Sequence, residues 1–142
     1  MNGVAPGWSA LLALQRATHA TLQVLAAELA DLGLTGSEIT VLANLADGRS
    51  RSVSELGRAA GTRPTTLTSV LDRLERRGHI TRSPRLGDRR GVLIELTPTG
   101  RQAAATIRHA ITGIERRALA PLPAEATAAL RAALQALTEV SE

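Results

Sequence analysis

Two clusters of side chains in this 142-residue sequence are equipped for chemistry at an anionic partner. The first is Arg63-Pro64-Thr65-Thr66-Leu67-Thr68-Ser69, which gathers one guanidinium and four hydroxyls into about two helical turns. The second is Arg85-Leu-Gly-Asp88-Arg89-Arg90, three guanidiniums around one carboxylate. Guanidinium groups bind phosphate or a guanine edge in bidentate fashion and stay charged, and hydroxyls can bond to base edges or phosphate and touch thymine methyls. Bond-making chemistry has little to work with. The sequence has no cysteine, which excludes disulfides, a thiolate zinc site, a cysteine nucleophile and a thiol switch. Its three histidines, His19, His79 and His109, are isolated, and neither a phosphate loop nor a nucleophile-base-acid set is present. No enzyme activity, cofactor or metal is expected.

The charge is distributed to match. All 17 basic residues are arginine, and 12 of them fall between Arg49 and Arg101 against 5 acids, a net of +7, while the rest of the chain has a net of −3. A basic middle within an acidic frame suits a polyanion; arginines that merely solvate a face are the plainer alternative. With 25 alanines, 22 leucines and a single aromatic residue, Trp8, the composition favours helices over strands. The first ten residues carry no basic side chain and no apolar run is long enough to span a bilayer, so a cytoplasmic protein without membrane contact is expected.

The elements that must hold the two clusters follow from periodicity and punctuation. Leu11, Leu14, Leu22, Leu25, Leu29 and Leu32 predict a helix over 9–32, stopped by Gly33. Thr35-Gly-Ser-Glu38 and Ser52-Val-Ser-Glu55 are capping boxes that open helices over 34–47 and 53–60. Ser37 and Ser54, in their first turns, could cradle a phosphate or simply serve the cap. Pro64 suits a first turn, with Thr62 expected as its cap, and Leu67, Val70, Leu71 and Leu74 form the core face of a helix ending at Gly78. Two short helices joined by a tight turn make a helix-turn-helix. The period then changes: 79–83 and 91–97 read as strands around a basic loop over 84–90. Thr97-Pro98 opens a long helix with Ile107, Ile111, Ile114 and Ala118 on one stripe, and a last helix covers 124–140.

This order of elements resembles the MarR family of winged helix-turn-helix transcriptional regulators. The stretches that carry the resemblance are Leu34-Thr35 into Val41-Leu42, Val53-Ser-Glu-Leu56, Arg63 through Glu75 with Gly78, and Gly87-Asp-Arg-Arg-Gly-Val-Leu-Ile-Glu-Leu-Thr-Pro-Thr-Gly100. The resemblance implies a mostly α fold with a small β-hairpin wing, a helix-turn-helix core, and dimerisation helices at both ends. The boundaries expected are 1–34 and 98–142 for dimerisation and 35–97 for the DNA-binding lobe. Double-stranded DNA is the implied partner, read by Arg63, Pro64, Thr65, Thr66, Thr68 and Ser69 from the Pro64 helix. Arg90 is implied as the arginine of the wing in the minor groove, with Arg85 and Arg89 as phosphate contacts; a carboxylate that orients a neighbouring guanidinium gives Asp88 the part of a brace for Arg90 or Arg89, without a contact to DNA of its own. Arg73 and Arg82, with Arg76 and Arg77, could contact the backbone or only solubilise the surface.

The apolar faces of the terminal helices need cover, which fits a homodimer that binds a palindromic operator as a repressor; helices folding back on their own subunit are the alternative. A non-specific architectural DNA-binding protein would share the basic middle. The resemblance also implies a small-molecule effector in a cleft near His19 and His109, although both could be ordinary surface histidines. The aromatic lining usual for such a cleft is missing, and Trp8 is better placed as an anchor in the dimer region.

Overall fold

A computed structural model describes residues 9–85 and 88–140, with the side chains of 85 and 88–90 left aside. Among the described residues, six α-helices and a three-stranded antiparallel sheet follow one another as α1 (Ala10–Glu28), α2 (Gly36–Ala43), β1 (Arg51–Ser52), α3 (Val53–Ala60), α4 (Pro64–Arg76), β2 (Ile80–Arg85), β3 (Asp88–Leu96), α5 (Pro98–Leu119) and α6 (Ala124–Glu139). A mostly α fold with a small wing is therefore the architecture. The chain forms two compact units, one ending at Ala110 and the other beginning at Ile111.

The core lies in the first unit. Ile39, Val41, Leu42 and Leu45 from α2 and its following turn, Leu56 from α3, and Leu67, Val70, Leu71 and Leu74 from α4 are all buried, with Ile80 and Ile94 of the sheet beneath them. Leu25 and Leu29 are the buried residues at the end of α1. Both capping boxes close as expected. The Thr35 amide donates to Glu38 Oε1 at 2.9 Å and the Glu38 amide to Thr35 Oγ1 at 3.2 Å, while the Ser52 amide donates to Glu55 Oε1 at 3.0 Å and the Glu55 amide to Ser52 Oγ at 3.1 Å. Each box satisfies two amides that the first helical turn would otherwise leave unbonded.

Several elements differ from expectation. The first helix ends at Glu28 and tightens into a 3-10 turn over Ala30–Leu32, and α2 stops at Ala43 before a run of turns. The stretch 84–90 is strand for most of its length: β2 reaches Arg85 and β3 begins at Asp88. The register shifts between Pro84 and Arg85, where the missing amide hydrogen of proline cannot serve a ladder; β2 is the edge strand of the order β1-β3-β2, the place a proline is tolerated. In α5 the buried stripe is Gly100, Ala103, Ala104, Ile107 and Ala110, whereas Ile111 is exposed. Small residues occupy this face for a visible reason. A Cβ on Gly100 would fall 1.9 Å from the His79 carbonyl oxygen, so α5 starts hard against the α4–β2 turn.

In the second unit α6 has no buried residue, and Leu122, Leu130 and Leu137 are each more than two-fifths exposed. Trp8 lies outside the described residues.

Candidate nucleic-acid interface

The helix-turn-helix consists of α3, a three-residue turn and α4. Its second helix is amphipathic in a useful direction: Leu67, Val70, Leu71 and Leu74 are buried, and Arg63, Pro64, Thr65, Thr66, Thr68 and Ser69 are all exposed. Arg63 occupies the N-cap position with extended backbone, and no side chain caps the helix. Thr62 does not play that part. Its hydroxyl donates backward to the Ala60 carbonyl at 3.4 Å, because Pro64 at the first helical position moves the cap to Arg63. An uncapped N-terminus retains its positive end and its unbonded amides for an anion. The Thr68 hydroxyl donates to the Pro64 carbonyl at 3.0 Å, so toward a partner it offers a lone pair and a methyl group.

The C-terminus of α4 is closed. Gly78, at φ +79°, and His79 donate to the Glu75 and Leu74 carbonyls at 3.0 and 2.9 Å, a Schellman arrangement that turns the chain sharply into β2. The Thr97 hydroxyl bonds to the Gly78 carbonyl and accepts from the Gly100 amide at 3.0 Å, so a single residue caps α5 and fixes the turn.

Three of the central arginines are committed to the fold. Arg82 Nη2 lies 2.7 Å from both Asp72 Oδ1 and Glu75 Oε1, bonds to Glu75 first and Asp72 second that raise its pKa further above the usual arginine value. Arg77 donates to the Gly33 and Leu32 carbonyls at 2.9 and 3.2 Å, and its Nη1 is 3.9 Å from the buried Glu38 carboxylate. Arg51 Nε donates to the Asn44 carbonyl at 2.8 Å and its Nη2 pairs with Asp47 at 3.1 Å. Arg73 is half-buried, with Nε shielded and unpartnered. Arg82 and Arg77, which sequence leaves as contacts to the DNA backbone or as surface solubilisers, have carboxylates and carbonyls of the fold as partners. The acids at 72 and 75, three residues apart on α4, were the sequence signal for the first.

Between α3, the start of α4 and β3 runs an open groove of about 740 Å³, floored by Val53, Leu67 and Val92 and rimmed by Ser54, Arg58 and Thr68. Sequence reasoning missed this groove. Its β3 wall stands where it does because Arg51 and Ser52 form a two-residue strand on β3, too short to leave a period in the sequence. His19 and His109 are both exposed and neither lines this groove. The side chains of Arg85, Asp88, Arg89 and Arg90 lie outside the described residues, although their backbones form the end of the hairpin. His79 is half-buried with Nδ1 shielded and unpartnered; burial first, and the charge of Arg77 second, push its pKa below 6.5 against the opposing pull of Glu38.

Residues 34–92 match the model of the MarR family, a span that runs from the start of the α2 cap through the groove's β3 wall. The helix-turn-helix lobe of this chain is a MarR-family lobe. A curated relative is the HTH-type transcriptional regulator PecS of Dickeya dadantii (strain 3937), 40% identical over 83 residues, or 58% of this chain. That match spans half the length of PecS. A probable transcriptional regulator from Pseudomonas aeruginosa of known structure is 30% identical, with 91% of this chain and 96% of that one covered at a TM-score of 0.72. NadR, solved in complex with 4-hydroxyphenylacetate, superposes at a TM-score of 0.87 over 99% of both chains; at 22% identity this is a likeness of fold. The winged helix-turn-helix fold of the MarR family is thus the frame in which the exposed face of α4 sits.

Proposed function

We propose that this chain is a homodimeric transcriptional repressor of the MarR family that binds a palindromic operator, with α4 in the major groove and the β2–β3 wing over the adjacent minor groove. The observation that carries the reading is the division of α4: four apolar residues seat it in the core, and an arginine and four hydroxyls stand exposed at its uncapped N-terminus. Arg63, Thr65, Thr66, Thr68 and Ser69 then meet base edges and the nearest phosphates, with Pro64 starting the helix. Thr68, its proton held by Pro64, accepts from an adenine or cytosine amino group or packs on a thymine methyl. Ser54 and Arg58, at the groove rim, take the flanking backbone, as the first helix of such a pair does. Arg90 enters the minor groove braced by Asp88, and Arg85 and Arg89 take phosphates.

Residues 1–34 and 98–142 serve dimerisation and 35–97 contact DNA. Leu11, Leu12 and Leu22 of α1 and Leu130 and Leu137 of α6 are exposed in the single chain, in keeping with burial against a second copy. Half-sites then lie about one helical turn apart, roughly 34 Å. A small-molecule effector would act by favouring a conformer whose two recognition helices are wrongly spaced.

Recovery of bound fragments from a random-sequence duplex pool tests the reading. A palindromic consensus with two half-sites is the expected result; recovery of DNA without a consensus makes the chain an architectural DNA-binding protein.

A further inference from the structure

We infer that Arg82 is a positioning residue for DNA recognition, a strap between β2 and α4 that sets the wing against the recognition helix, rather than a contact to DNA. The inference rests on the functional reading above. One guanidinium joins two elements that would face the same duplex: Nη2 is 2.7 Å from Asp72 Oδ1 and 2.7 Å from Glu75 Oε1, and Nε is 3.3 Å from Glu75 Oε1. Asp72 and Glu75 lie on α4, so the strap is anchored on the recognition helix itself.

The register explains why Arg82 is where it is. Arg82 pairs across the sheet with Ile94, which pairs on its other side with Arg51. Directly opposed residues share a sheet face, so Arg51, Ile94 and Arg82 form one row, with fully buried Ile94 at its centre and a guanidinium at each edge. Each edge arginine grips a different part of the helical layer: Arg51 the Asn44 carbonyl after α2, Arg82 the carboxylates of α4. Beyond Arg82, β2 continues with half-buried Ser83 and exposed Pro84. The hairpin is therefore a lever. It is hinged at the Gly78 turn, pinned at Arg82, and β2 extends three residues further to Arg85, about 10 Å at the rise of a strand. A rotation of about 10° at the pin would carry the end of β2 by some 2 Å, enough to lengthen a hydrogen bond made from there past its limit. The strap also offsets one of the two negative charges that Asp72 and Glu75 would otherwise present on α4 beside phosphates.

Removal of the acids separates a strap from a contact. Asp72→Asn/Glu75→Gln adds two units of positive charge and releases Arg82. If Arg82 touches phosphate, that variant binds operator more tightly and with a steeper salt dependence. If Arg82 is a strap, the variant binds its selected operator on the order of tenfold more weakly, the loss of about one base-level arginine contact. It also loses minor-groove protection in a hydroxyl-radical footprint while major-groove methylation protection over the α4 site persists. Arg82→Gln gives the same footprint, and Arg82→Lys, which keeps charge but loses the fork, falls between the two. These ion pairs are part-exposed and carry little of the folding energy, and circular dichroism verifies the fold of each variant.

Equal or tighter operator binding by the double variant overturns the strap. A wild-type chain that selects no DNA overturns the functional reading instead, and the mechanical claim is then decided by amide exchange: β2 and β3 amides beyond Arg82 exchange faster in both variants if the strap holds the hairpin, and unchanged exchange overturns it.

Discussion

Helices α4 and α6 are of similar length and both are amphipathic, yet they use their apolar faces in opposite ways. The stripe of α4 is consumed inside the chain, where Leu67, Val70, Leu71 and Leu74 are each at most 2% exposed, and its polar face is left outward. The stripe of α6 is not consumed: Leu130 and Leu137 stand 43% and 41% exposed and no residue of the helix is buried. A helix seated on its own core can offer hydroxyls and guanidiniums in a fixed geometry, which is what a reader of base edges requires. One with an unspent apolar face is suited to association.

The sharpest way to break this contrast is to truncate one leucine from each helix. Leu74→Ala should cost about 2–5 kcal/mol in urea unfolding, since it empties a fully buried site. Leu137→Ala should change folding by less than about 0.5 kcal/mol when the chain is dilute, and should instead weaken self-association in sedimentation. Equal losses in unfolding at both sites would erase the distinction.

The turn that holds the C-terminal end of α4 offers a second test. Gly100→Ala forces a methyl group against the His79 carbonyl and should cost about 1–3 kcal/mol, read as a lower urea midpoint with unchanged slope. Nothing comparable is expected from Gly113→Ala, where the nearest atom outside the glycine's own surroundings is the end of the Arg117 side chain at 3.7 Å.

At the proposed DNA face, Arg90→Ala should lower operator affinity by roughly 1–3 kcal/mol with the unfolding midpoint unmoved. If operator affinity is retained, Arg90 is not in the minor groove.

The smallest effect is that of pH. The pKa of His79 is depressed in the fold by burial and by Arg77. Above 6.5 the imidazole is neutral folded or unfolded and contributes no pH dependence; as pH falls through 6.5 the unfolded chain takes up the proton first, and stability declines until the folded value is passed. His79→Gln should flatten that part of the stability curve between pH 7 and 5.

The parts of the fold legible in the sequence are those governed by local rules. Both capping boxes, the Gly78 stop, Thr97 ahead of Pro98 and the four-residue core face of α4 depend on neighbours three or four residues apart, and the structure forms each of them. What was not legible depends on distant partners. Glu38 reads as a cap, but it is 2% exposed and faces Arg77 from the far end of α4. Arg82 and Arg77 have the composition of a basic surface, and although Asp72 and Glu75 are visible in sequence, it is the tertiary fold that brings them to Arg82 and the Leu32 and Gly33 carbonyls to Arg77. The stop at Ala43 and the strand Arg51–Ser52 escaped because a two-residue strand has no period and is made by its partner. Of the two chemical clusters, the one on α4 could be placed as an exposed face from periodicity alone, since its neighbours in sequence are its anchors in the core.

The account's central claim is that this exposed face reads sequence, and it is tested most directly by the affinity of the wild-type chain and of Thr66→Ala for a selected duplex and for bulk genomic DNA at one fixed salt concentration. The wild type should prefer the selected duplex by at least about a thousandfold, and Thr66→Ala should lose part of that preference while its affinity for bulk DNA stays the same. A wild type that binds both DNAs alike, or a Thr66→Ala chain weakened equally on both, would contradict it.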